Sequence, residues 1–285
     1  MKSYLKKAAE AVKQANYLIV TSGAGLGVDS GLPDFRGSEG FWKSYPPMAK
    51  KGLTFPETSN PRWFHKDPKF AWGFYGHRYH LYKDTYPHQG FHILKKWCEG
   101  MSLGYSIFTS NVDGHFQKAG FPEERIQECH GSINYLQCVD YENCTDDIWP
   151  AENLYVEVDE NFIAEDPLPK CIHCSGLARP NILMFDDYTW VPHRTENQEK
   201  NFEQDLDRVL SEAHKVVIIE IGAGEAVPTV REFGQELLDK VSNSVLIRVN
   251  PRDPTGSHER LIKLPMRGLQ ALEEIDCLLN NKWPE

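Results

Sequence analysis

No stretch of this 285-residue chain approaches the roughly 18 consecutive apolar residues that a membrane-spanning helix requires. Low-complexity tracts and internal repeats are also missing, which excludes fibrous and solenoid architectures. Basic residues are absent from 138–169, a stretch whose ten Asp or Glu equal the chain's formal net charge of −10. A broad basic face for nucleic acid is thereby excluded, and the stretch is expected to be a solvated acidic loop. The opening run MKSYLKKAAEAVKQAN lacks the apolar centre of a secretory signal, so a cytoplasmic protein without membrane association is expected. In that compartment seven cysteines do not make a disulfide framework. Cys98, Cys129 and Cys277 stand apart and are expected to be small buried side chains, whereas the other four are grouped.

What is present is a set of four short apolar runs: YLIVT (17–21), YSIFT (105–109), VVIIEIG (216–222) and VLIRVN (245–250). Each follows a helix-like segment. Helix alternating with buried strand predicts an α/β fold, a Rossmann-like parallel sheet with helices on both faces. After the first three strands come SGAG, SNVDG and GAGEAVP, and Asn250-Pro251 ends the fourth. Ligands of open α/β sheets sit beyond the carboxyl ends of the strands, so Gly, Asn and Asp gathered there mark a site. Two segments interrupt the alternation. Residues 41–86 hold thirteen of the 33 aromatics and predict a helical insertion, and 136–178 carry the four grouped cysteines. The expected division is 1–40, 87–135 and 179–285 for the sheet domain, 41–86 for the insertion and 136–178 for a zinc-ribbon-like small domain.

Gly23, Gly25 and Gly27 follow the first strand and would let a pyrophosphate approach main-chain N–H groups at the next helix. The fingerprint is incomplete. Val28 occupies its sixth position, and no acidic residue stands about 20 residues further on. Taken alone, the loop fits a nucleotide site and a tight strand-to-helix turn equally.

The continuation changes this. Gly23-Ala24-Gly25-Leu26-Gly27-Val28-Asp29-Ser30-Gly31-Leu32-Pro33-Asp34-Phe35-Arg36 closely resembles the first signature of the sirtuin family, the NAD-dependent protein lysine deacylases. The resemblance continues in order through TSNVDGHFQKAG (109–120), CHGSI (129–133), the cysteines, ARPNILMFDD (178–187), IGAGEAVP (221–228) and VN (249–250). It implies NAD as co-substrate, an acylated-lysine protein or peptide as partner, and one structural zinc. In the implied reaction the acyl-lysine carbonyl oxygen attacks C1′ of the nicotinamide ribose and nicotinamide leaves. His130 would be the general base for a ribose hydroxyl, a task suited to a group titrating near neutral pH. Asn111 and Asp113 would contact the ribose and the nicotinamide carboxamide. Gly23, Ala24, Gly25, Asp34, Phe35, Arg36, Ser110, Gly222, Ala223, Gly224 and Asn250 would complete the cofactor site. Arg36 would neutralise diphosphate charge and Phe35 would shield the reacting carbon from water. Ile182, Leu183 and Phe185 would meet the substrate, with the main chain pairing to an extended peptide.

Cys171 and Cys174 have a two-residue spacing suited to zinc, while Cys138 and Cys144 have five residues between them, wider than usual. Four thiolates in a reducing compartment favour a structural ion, with His173 as a possible substitute ligand. Three positions depart from the family's usual pattern: Ser110 stands for Gln, Ala223-Gly224 for Thr-Ser, and Gly27 for Ser. They keep two alternatives open, ADP-ribosyl transfer or NAD hydrolysis, and a non-catalytic NAD or ADP-ribose sensor.

Overall fold

The computed structural model describes residues 1–33, 37–210 and 214–280. Its strands are β1 (Tyr17–Ser22), β2 (Tyr105–Thr109), β3 (Ile126–Glu128), β4 (Gly131–Cys138), β5 (Ile148–Pro150), β6 (Ala178–Ile182), β7 (Val216–Ile221), β8 (Ser244–Val249) and β9 (Leu261–Leu264). The helices are α1 (Lys2–Gln14), α2 (Gly37–Ser44), α3 (Pro46–Lys50), α4 (Phe55–Thr58), α5 (Arg62–Lys66), α6 (Pro68–Asp84), α7 (Gln89–Glu99), α8 (His115–Lys118), α9 (His193–Leu210), α10 (Thr229–Lys240) and α11 (Gly268–Leu279).

Six strands form one sheet in the order β3-β2-β1-β7-β8-β9, every pair parallel. Numbered within that sheet, the order is 3-2-1-4-5-6, the doubly wound dinucleotide-binding arrangement. All residues of β1 and β7 are buried. Alternate side chains serve opposite faces: Leu18 and Val20 pack with α1, α7 and α11, and Tyr17 and Ile19 pack with α9 and α10. Each such Val, Leu or Ile contributes about 1.5–3 kcal/mol by leaving water. All four expected strands are present. The sequence reading did not anticipate β3 and β9, edge strands of three and four residues.

A second, antiparallel sheet has the order β5-β4-β6. The boundaries expected at 135/136 and 178/179 therefore fall inside β4 and β6. Residues 41–86 are helical, from α2 through α6, and their aromatics do not form a separate core. Phe41, Tyr45, Trp72, Phe74 and Tyr75 pack in one cluster with Cys138, Trp149, Val156 and Cys171 from the cysteine-bearing segment. Trp72 Nε1 donates to the Ala178 carbonyl at 2.9 Å, and Tyr79 Oη to that of Ala151 at 2.8 Å. Backbone meets backbone here, since a Cβ on Gly73 would stand 1.9 Å from the Phe162 oxygen. The isolated cysteines differ from expectation: Cys98 is buried, but Cys129 is only partly covered and Cys277 is exposed.

Candidate active site

The tips of β1, β2 and β7 are stitched together just beyond the sheet. Ser22 Oγ donates to Thr109 Oγ1 at 2.9 Å, and the Ser110 N–H to the Ser22 carbonyl at 3.1 Å. On the other side the Gly23 N–H donates to the Ile221 carbonyl and the Gly25 N–H to that of Gly222, both at 3.1 Å. Gly222 has φ +67°, and a Cβ there would lie 2.4 Å from Gly25 C and Leu26 N. Only glycine permits this crossing. The crevice lies at the switch point between β1 and β7, where the strand order reverses. Residues Ala24–Ser30 form a 3₁₀ segment, and glycine, a poor α-helix former, recurs in it.

Asn111 Nδ2 donates to the Gly23 carbonyl at 3.1 Å, and its main-chain N–H donates to Thr109 Oγ1 at 3.1 Å. Asp113 Oδ1 accepts the His115 N–H at 2.9 Å. Its Oδ2 faces the glycine loop, 3.8 Å from where a Cβ on Gly27 would be. His130 follows β3, whose end is tied to β2 by the Cys129 N–H to the Thr109 carbonyl at 2.9 Å. Burial holds the His130 pKa below the usual histidine value, against a hydrogen bond to the Ser110 main chain that raises it. The ring is therefore neutral at pH 7, the form that accepts a proton.

Opposite these groups runs the end of β6. The Leu183 N–H donates to the His130 carbonyl, and that of Phe185 to the Ser59 carbonyl, both at 3.0 Å. A buried ion pair shapes the segment: Arg179 Nη1 donates to Asp187 Oδ1 at 3.1 Å, Nη2 bonds Asp187 Oδ2, and Nη2 also donates to the Ile182 carbonyl at 2.8 Å. Burial raises the Asp187 pKa. The Arg179 guanidinium and the Met184 and Thr189 amides outweigh it, leaving the carboxyl below the ordinary range.

These elements enclose a cavity of about 350 Å³. Gly23, Ala24, Ser110, Asn111, Asp113, His130, Ile182, Leu183, Phe185, Gly222, Ala223 and Gly224 all line it. Gly25 and Asn250 do not. Gly25 acts through its bond to Gly222. Asn250 is fully buried, and its Nδ2 donates to the Ala223 carbonyl at 2.7 Å, so it braces the loop behind the cavity wall. Asp34, Phe35 and Arg36 lie outside the described residues.

The family model described as "Sir2 family" matches residues 23–219. This chain belongs to the Sir2 family. It is 30% identical over 234 residues to a Saccharolobus solfataricus protein named NAD-dependent protein deacetylase, covering 82% of this chain and 83% of that one. It is likewise 30% identical to an Aquifex aeolicus NAD-dependent protein deacylase, over 83% and 84% of the two chains. Among solved structures, a Sir2 homologue in complex with NAD has the same fold, with a TM-score of 0.68 at 24% identity over 96% of this chain and 93% of that one.

The sequence reading of this Sir2 chain missed part of the cavity. Leu32, Pro33, Phe55, Ser59, Arg78, Tyr82 and Met184 also line it. Arg78 Nε and Nη2 donate to Tyr82 Oη at 3.1 and 2.9 Å, and its guanidinium lies over Phe74 at 5.2 Å. This puts a permanent cation in the wall, wrapped by aromatic rings. The available signal was one arginine inside the aromatic run FYGHRY.

The four cysteines converge as well. Cys138 Sγ and Cys174 Sγ are 3.8 Å apart, as are Cys144 Sγ and Cys171 Sγ, and all four sulfurs lie within 4.8 Å of one another. That is far beyond the roughly 2.05 Å of a disulfide. It matches the edge of about 3.8 Å that a tetrahedron with Zn–S bonds near 2.3 Å must have. The N–H groups of His173 and Gly176 point to Cys171 Sγ and Cys174 Sγ at 3.4 Å, as suits thiolate acceptors. The thiolate set fits zinc, with the wider Cys138–Cys144 spacing bridged by the turn Tyr141–Asn143. His173 lies outside the group of four converging sulfurs, and its Nε2 pairs with Asp147 at 2.9 Å.

Proposed function

We propose that this chain is an NAD-dependent protein lysine deacylase that releases nicotinamide and O-acyl-ADP-ribose. The observation that carries the reading is the single cavity shared by His130, Asn111 and Asp113 with the glycine loops of β1 and β7. When bound, NAD supplies an activated glycosidic carbon and a leaving group.

The protein's own groups divide the remaining work. The main-chain N–H groups of Ala24, Ala223 and Gly224 hold the diphosphate, with Asn250 bracing the wall. Ser110 adds its hydroxyl, and Asn111, fixed by Gly23, orients the ribose. Asp113 holds the carboxamide end, so that the ring departs from a defined pose. His130, neutral and anchored to Ser110, accepts a proton from a ribose hydroxyl and returns it. Ile182 and Leu183, where β6 ends, meet an extended acyl-lysine peptide, while Phe185 lines the passage for the side chain. Cys138, Cys144, Cys171 and Cys174 hold one structural zinc, which takes no part in the chemistry.

We divide the molecule into a cofactor-binding domain (1–40, 87–135 and 179–285), a helical insertion (41–86) and a small zinc domain (136–178), with the second sheet as their seam. We also assign it to the cytoplasm, where free thiols persist; among the described residues no helix is long and apolar enough to cross a membrane.

Mass spectrometry of an acetyl-lysine peptide incubated with the protein and NAD tests the reading. Unmodified lysine together with acyl-ADP-ribose supports it. ADP-ribose attached to protein, or free ADP-ribose alone, replaces it with transferase or glycohydrolase activity. NAD binding without any nicotinamide release leaves a sensor.

A further inference from the structure

One half-buried histidine near the glycine loop has no part in the reaction described above. His88 caps α7, its Nδ1 accepting the Gly90 N–H at 3.0 Å. Its Nε2 stands 2.9 Å from the Leu26 carbonyl oxygen, inside the glycine loop. A nitrogen that accepts and another that faces a carbonyl permit one state, the neutral ring with its proton on Nε2. The His88 main-chain N–H also donates to Ser30 Oγ at 3.0 Å, so the residue grips the segment Ala24–Ser30 at two points. The ring is seated on Gly90, where a Cβ would come within 2.5 Å of its Cε1, and Phe91 meets it edge-on at 5.1 Å.

Charged and titrating groups face it from the gripped segment, α8 and α11. Asp29 lies in the gripped segment, its Oδ2 accepting the Leu269 N–H at 2.9 Å and its Oδ1 3.7 Å from Arg267 Nη1. Glu273 faces His88 from α11 and His115 from α8. Burial disfavours the imidazolium, and His115 adds to that. The Leu26 carbonyl, Asp29 and Glu273 favour it, and the balance leaves the pKa below the usual histidine value.

We propose that His88 is a positioning residue for the cofactor: its neutral ring fixes the glycine loop against α7 in the form that binds NAD, and its protonation weakens that binding. The inference rests on the NAD reading above. A proton on Nδ1 would set two N–H groups face to face, so the grip on Gly90 and Leu26 cannot survive it intact.

Calorimetric titration of NAD into the full chain, from pH 7.5 downward, tests this. His88→Asn keeps an acceptor for the Gly90 N–H but is too short for Leu26. Gly90→Ala leaves the histidine and displaces its ring. Both variants should bind NAD about three- to tenfold more weakly at pH 7.5, with kcat at saturating NAD unchanged. His88→Gln, a donor that reaches Leu26 and does not titrate, should restore affinity and remove the acid weakening seen in the unaltered protein. Unchanged affinity in His88→Asn and Gly90→Ala would overturn the proposal, and so would the same acid weakening in His88→Gln. If either packing variant fails to fold, the comparison of the unaltered protein with His88→Gln decides. Failure of the unaltered protein to bind NAD at any pH would instead remove the cofactor reading itself.

Discussion

The main chain of His130 and that of Leu183 are joined: the Leu183 N–H donates to the His130 carbonyl at 3.0 Å. The proposed base and the proposed peptide-binding segment thus meet at the end of the β4–β6 ladder, one position beyond the pair Gly131 and Ile182. A substrate that meets the segment at Leu183 arrives in fixed register with the imidazole. Removing the imidazole should therefore spare binding and destroy turnover. His130→Ala is expected to lower kcat by about 10²–10⁴-fold, with NAD and peptide affinities within about threefold of the unaltered protein. Steady-state kinetics with calorimetry measures both, and an equal loss of NAD affinity would reject the assignment.

The acidic limb of activity follows from the burial of His130. The neutral ring is the working base and its pKa is lowered, so activity should persist below about pH 6.5, the ordinary histidine value, before it falls. The same shift makes His130 a source of acid instability, because the unfolded chain binds this proton more readily. A kcat profile with its acidic midpoint above 6.5 would contradict the burial argument.

Much of this was legible in the sequence because the informative groups are local to strand ends. Glycines after YLIVT and VVIIEI, and Asn-x-Asp after YSIFT, announce the crevice through chain geometry alone. The edge strands β3 and β9 were not legible, since three or four residues carry no usable periodicity. Nor was the joint core of the helical insertion and the cysteine-bearing segment. Trp72 and Ala178 are 106 positions apart, and nothing local links them. Arg78 and Tyr82 sit on α6, where Phe74, Tyr75 and Tyr79 are also buried, so pocket and core look alike in sequence.

The buried pair of Arg179 and Asp187 gives a third prediction. Both side chains are nearly inaccessible, and breaking one partner leaves an uncompensated charge. Arg179→Met should cost about 3–5 kcal/mol of stability and raise KM for peptide more than KM for NAD, because the Ile182 carbonyl loses its anchor. Asp187 supplies the pH signature. With its pKa depressed, its stabilisation is complete above the unfolded carboxylate value and is lost as pH falls through the lower folded one. Denaturant melts of the two proteins from pH 7 downward measure this, and an Arg179→Met variant of unaltered stability would refute it.

Metal removal should act on the fold before it acts on the chemistry. Four sulfurs at tetrahedral spacing predict one zinc per chain, detectable when the thiols are titrated with a mercurial. Chelation, or Cys171→Ser, should lower the melting temperature by several degrees while turnover at low temperature is at first retained. A melting temperature that does not move after verified metal loss would count against a structural ion.

The most direct test of the account is the position of the ribose. A crystal structure of the protein with acetyl-lysine peptide and a carba-analogue of NAD, which cannot lose nicotinamide, would locate it. The account predicts the nicotinamide ribose between Asn111 and His130, its hydroxyls within hydrogen-bond reach of the imidazole and the carboxamide beside Asp113. A ribose bound elsewhere, or with His130 turned away from it, would contradict the account.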